Sequence, residues 1–220
     1  LRTRAKLSNR LIICEQIIMK INLNVIFTIL LPLTLPLAVA SHAEEPTALH
    51  TSVEWQIWAY TTAAPSFIGS AAKVLDANND VLREGSNGWT CMPGNARPMP
   101  KTGWPSAHQA MPVCADVESL KWMKAYLSEE KPELMRDGFM WMLHGDVGED
   151  NTTPMVMEKS KSAMGHWIES GPHLMIMPKD PLTIAGHTTD FRSGSPYLMF
   201  PGSIYAHLMI PVEGYYQYSE

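Results

Sequence analysis

The chain is 220 residues long, 45% hydrophobic and 18% charged, with a formal net charge of -5. An acidic chain without a basic stripe gains nothing by displacing the counterions of a polyanion, so nucleic acid is excluded as an expected partner and anionic lipid with it. Neither G-x-S-x-G nor H-E-x-x-H occurs, and no glycine pattern marks a Walker or dinucleotide loop, so the common hydrolase and nucleotide motifs are without support.

Residues 19–43 read as a secretory signal peptide: a start methionine, Lys20, an apolar run from Val25 to Ala40, then Ser41 and Ala43 before the expected cut. Pro32 and Pro36 interrupt the run, which is short for a membrane span, so no stable insertion is expected once the peptide is cleaved. Residues 1–18 precede a better start at Met19 and are read as an over-long gene prediction. A single domain over 44–220 is then the mature protein, periplasmic or secreted. Its net charge falls from -5 to -9, because Arg2, Arg4, Lys6, Arg10 and Lys20 lie upstream with only Glu15 to offset them. Cys14 goes with them, leaving Cys91 and Cys114 as a pair in an oxidising compartment without a C-x-x-C, which points to a structural disulfide.

Along the mature chain, Thr51 and Glu54 form a T-x-x-E capping box ahead of a helix with Val53, Ile57, Tyr60 and Ala64 on one face, stopped by Pro65. Lys73–Leu75 and Val81–Arg83 flank the polar turn Asp76–Asp80 and predict a hairpin; the turn lacks the glycine and distal glutamate of a calcium loop. Residues 85–114, rich in proline and glycine, are expected to hold no regular element and to persist as a long loop stapled by the disulfide. Trp89 and Trp104 in that loop have two open roles, a sugar or apolar-ligand platform and a miniature core. Asp116 caps a second helix with Val117, Leu120, Met123 and Leu127 as its apolar face. Five short apolar runs follow, 139–143, 166–168, 173–177, 197–200 and 205–212. The fold class expected is α+β: a mainly antiparallel sheet or small sandwich, two helices and the disulfide-stapled loop.

A near-duplication carries most of the chemistry. Gly171–Pro178 is GPHLMIMP and Tyr205–Pro211 is YAHLMIP, so in each strand a His-x-Met pair, His173 with Met175 and His207 with Met209, points to one face. Imidazole with thioether suits copper, particularly Cu(I), or more loosely zinc, while the plain alternative is a methionine-filled core with interior histidines. His144 and Asp146 open a loop after the FMWML strand and could supply a base with its orienting carboxylate or, through His144, a third metal ligand; an ordinary polar turn, with Asp146 and Asn151 bonded to their own backbone, is the alternative.

GSNGWTC at 85–91, MLHGD at 142–146, GPHLM at 171–175 and YAHLM at 205–209 together resemble a family of uncharacterised exported bacterial proteins with recurring G-x-N-G-W-T-C, G-P-H-L-M and A-H-L-M segments. The resemblance spans roughly residues 53–212 and implies the domain limits and an exported location, but no activity. The function expected first is binding of a transition metal or small ligand through His173 and His207, with Met175, Met209 and His144 as further ligands. A metal-dependent or His-Asp hydrolase using Asp146 is the second expectation, and a structural or envelope-interaction module the third.

Overall fold

The structure, a computed structural model, describes Glu44 to Tyr218; the expected signal peptide and the stretch before it lie outside the described residues. The fold is α+β, built on one eight-stranded sheet rather than a sandwich. In chain order the strands are β1 Lys73–Leu75, β2 Val81–Arg83, β3 Thr90–Pro93, β4 Pro112–Ala115, β5 Gly138–Met142, β6 Glu149–Asp150, β7 Trp167–Ile168, β8 His173–Met177, β9 Tyr197–Met199 and β10 His207–Pro211. The large sheet runs β2-β1-β3-β4-β5-β8-β10-β9, every pair antiparallel except β1 with β3, and β6 pairs with β7 apart from it. No helix among the described residues is long and apolar enough to cross a membrane.

Two main helices, α1 Val53–Thr61 and α4 Val117–Leu127, serve separate cores; α2 Ser66–Gly69 and α3 Ala107–Ala110 are single turns. Trp55, Ala59 and Tyr60 of α1 pack on Val74, Cys91 and Cys114. Trp122 and Tyr126 of α4 pack with Ala115 and with Met140, Met175 and Met209 from β5, β8 and β10. Alternation along β5 separates the two sets, since Cys114 pairs with Trp141 and Ala115 with Met140.

Both helices depart in part from their expected faces, although Tyr60 and Ala64 are buried as expected and Leu120 and Met123 pack against the core. α1 is capped by Ser52, whose hydroxyl accepts from Trp55 N at 3.2 Å, and not by Thr51; Val53 is exposed while Trp55 and Gln56 are buried. In α4, Asp116 is the cap as expected and accepts from Ser119 N at 2.8 Å. Yet Val117 and Leu127 are exposed, and Glu118, Ser119, Trp122 and Tyr126 turn inward. Aromatic bulk decided both rotations: burying Trp55 beside Tyr60, or Trp122 and Tyr126, removes more apolar area than burying Val53, or Val117 and Leu127.

The region 85–114 is more regular than its composition suggests. It contributes β3, α3 and β4, and Cys91 stands directly opposite Cys114 in the β3–β4 ladder with Cα atoms 4.0 Å apart. The disulfide therefore joins neighbouring strands at the base of the connecting loop. Trp104 is buried in the α1 core with Trp89 packed against it, which is the miniature-core role. Replacing both cysteines by alanine is expected to cost about 3 kcal/mol in urea unfolding, the loop-closure entropy regained by the unfolded chain.

Candidate functional site

Between α4 and the sheet lies a cavity of about 260 Å³ whose wall includes ten of the fourteen methionines that follow residue 43. The sheet arranges six of them. Met140, Met175 and Met209 stand opposite one another across β5, β8 and β10, a row that Tyr197 continues onto β9. One step along, Met177 faces Gly138, and His207 faces Met199. One step the other way, His173 sits between Met142 and Pro211.

The two His-x-Met strands are thus neighbours and share a face. Their register is not the one that would bring the imidazoles together. β8 and β10 run antiparallel with Met175 opposite Met209, so the histidines flank the methionine row, four ladder positions or roughly 13 Å of strand apart. His207 lines the cavity beside Met177, Met199 and Met209. His173 is buried behind the wall, next to Asp146, which lines it.

The duplication extends to tautomer. His173 Nδ1 donates to Gly171 O at 2.7 Å, and His207 Nδ1 donates to Tyr205 O at 3.0 Å. Each ring bonds the carbonyl two residues upstream, which leaves the lone pair on Nε2. His173 Nε2 is buried without a hydrogen-bond partner. Burial pushes both imidazoles down, His207 to about 4, with Asp146 pulling His173 partly back. Both are therefore neutral at physiological pH. The edges of Trp122 and Phe200, at 5.1 and 5.4 Å between centroids, fix the His207 ring.

The loop after β5 closes one end of the site through a close backbone approach. Gly145 has φ +69°, and a Cβ there would lie 2.1 Å from Ser170 O, so only glycine lets the loop turn here. Asp146 N then donates to Ser170 O at 2.9 Å, while its carboxylate accepts from Ser170 Oγ at 2.5 Å and Gly148 N at 2.9 Å. Asp146 bonds its own turn in part, as the plain reading had it. Asn151 instead reaches Thr189 O at 3.1 Å. His144 is held elsewhere: its Nε2 bonds Thr62 Oγ1 at 2.7 Å and its ring lies 6.0 Å from that of Trp58, on α1. Thr62 and Trp58 are among the groups that position His144, and Ser170 and Gly148 among those that position Asp146.

Glu149 and Tyr126 were not singled out in the sequence. The Tyr126 hydroxyl donates to Glu149 Oε1 at 2.5 Å and accepts from Met155 N at 2.9 Å, and both side chains face the cavity. Burial, then the nearby Asp146 and Asp150, push the Glu149 carboxyl up to about 8 against the opposing Tyr126 bond. Burial and Glu149 also raise the Tyr126 phenol. Asp150 goes the other way: burial would raise it, but bonds from Ser162, Thr152 and Thr153 outweigh that and keep it ionised. Strand alternation could have found Met140, Met142, Met177 and Met199; nothing local marks Glu149.

Among the described residues, no group of three or more His, Cys, Asp or Glu side chains is gathered where a metal could be held. The donors lining the cavity are mostly thioether sulfurs, with imidazole nitrogen from His207 and carboxylate oxygen from Asp146 and Glu149. Comparison with protein families, curated proteins and solved structures gives no match.

Proposed function

We propose that this domain binds a soft monovalent metal ion, Cu(I), in the methionine cavity. His207 Nε2 and the thioethers of Met177, Met199 and Met209 supply the donors, with Met175 in reserve. The observation that carries this reading is the gathering of ten methionines in the lining of one cavity, together with an imidazole whose Nδ1 is already committed. Thioether sulfur binds Cu(I) far better than zinc, calcium or magnesium, and an imidazole fixed through its other nitrogen is oriented before any ion arrives. The expected signal peptide at 19–43 would deliver the domain to the periplasm or beyond, where copper is met outside the cytoplasm.

His173, with its free Nε2, lies on the opposite side of the methionine row from His207 and is the natural second position for an ion crossing it.

Anaerobic titration against a chromophoric Cu(I) competitor, beside a Zn(II) titration, tests the reading. Stoichiometric uptake of Cu(I) that survives dialysis, with zinc lost, is expected, and His207→Ala should weaken Cu(I) at least about tenfold, roughly 1.4 kcal/mol. Absence of Cu(I) uptake would return the methionines to the role of core filler.

A further inference from the structure

A second depression, open and about 600 Å³ in volume, lies between β7, the Phe191–Arg192 turn and the C-terminal tyrosines. Its volume is in the range of small-molecule sites. Two of its rings are fixed in advance. Trp167 sits on Gly148, where a Cβ would come within 2.2 Å of Cζ2, and its Nε1 donates to Glu169 Oε1 at 3.1 Å. The Tyr216 hydroxyl donates to Phe191 O and accepts from Gly194 N, both at 3.0 Å, while the residue stays 41% exposed.

The charge of this groove runs against that of the chain. Lys159 and Arg192 are both exposed, and among the described residues neither meets a carboxylate at ion-pair distance; Arg192 lies 4.3 Å over the Phe191 ring. Two cations without a carboxylate at ion-pair distance among the described residues, beside fixed aromatic rings in an otherwise acidic protein, form a binding surface with a definite complement.

We propose that the groove binds a carboxylated saccharide of one or two rings. A sugar ring lays polarised C–H bonds on an aromatic face, whose quadrupole is negative there. Its carboxylate would take the planar guanidinium of Arg192 or the ammonium of Lys159, and its hydroxyls can donate to Glu169. Rings held beforehand by Gly148 and by the Phe191 and Gly194 backbone lose little freedom on binding. A neutral sugar would leave both cations unmatched, and a bare anion would make no use of the rings.

Isothermal titration of the purified domain with digalacturonate tests this, with cellobiose as the neutral disaccharide and inorganic phosphate as the bare anion. Digalacturonate is expected to bind at least tenfold more tightly than either control. Arg192→Glu or Lys159→Glu, both at exposed positions, should weaken it tenfold or more with thermal unfolding unchanged. No heat with digalacturonate, equal binding of cellobiose or phosphate, or binding that survives both charge reversals would overturn the proposal. The groove shares no residue with the methionine cavity, so this result is independent of Cu(I) binding.

Discussion

Replacing Met177, Met199 and Met209 together by leucine is expected to lower Cu(I) affinity at least about 100-fold, roughly 2.7 kcal/mol, while leaving the fold intact. Leucine matches methionine closely in volume, and such exchanges in a core usually cost less than about 1.5 kcal/mol each. The substitution therefore separates the two things a buried methionine does. If these side chains only fill space, as methionine commonly does, neither metal affinity nor stability changes much. If their sulfurs hold an ion, affinity collapses and urea unfolding of the metal-free protein moves little. The readout is paired: competition titration for the metal, denaturant midpoint for the fold. Met135→Leu and Met164→Leu, at exposed sites away from the cavity wall, should change neither.

Glu149→Gln is expected to stabilise the metal-free protein at pH 8 by about 4 kcal/mol and to have almost no effect near pH 4.5. The fold raises this carboxyl to about 8 from an ordinary 4.5, chiefly by burying it. A raised folded value means that the native state binds a proton which the unfolded chain has already released. Its contribution is complete below the unfolded value and drains away as pH rises through the folded one, between about 4.5 and 8. Glutamine copies the protonated form, can still accept from Tyr126, and cannot ionise. His207 imposes the opposite limb. Its folded value is depressed to about 4, so the unfolded chain takes up a proton first, and stability falls as pH drops from about 6.5 toward 4. The wild type should thus show a stability maximum that the Glu149→Gln variant loses on its alkaline side only. A variant whose alkaline limb matches the wild type would show that the Glu149 carboxyl is ionised in the native state.

The sequence showed the parts of this site better than their assembly. Alternation within HLMIM and HLMIP put His173 with Met175 and His207 with Met209 on common faces, because a strand's period of two depends only on local backbone geometry. It could not say that β8 and β10 pair, nor that Met175 meets Met209. That register sets the histidines apart, and it follows from long-range pairing among β5, β8, β10 and β9. The helices show a different limit. Apolar spacing named Val53 and Val117 as inward residues, yet large aromatics elsewhere on the same helices took the core. Proline and glycine hid β3 and β4, since both strands are short and Pro93 and Pro112 stand opposite each other at the end of their ladder. Glu149 was illegible for a further reason: its importance comes from Tyr126 and from the cavity, both supplied by distant parts of the chain.

The most direct test of Cu(I) binding is X-ray absorption at the copper edge on the anaerobically loaded protein. A low-coordinate Cu(I) centre is expected, with sulfur in the majority and one imidazole whose scattering disappears in His207→Ala. A shell of oxygen and nitrogen without sulfur, or a spectrum unchanged by the three leucine substitutions, would place the ion elsewhere and contradict a methionine site.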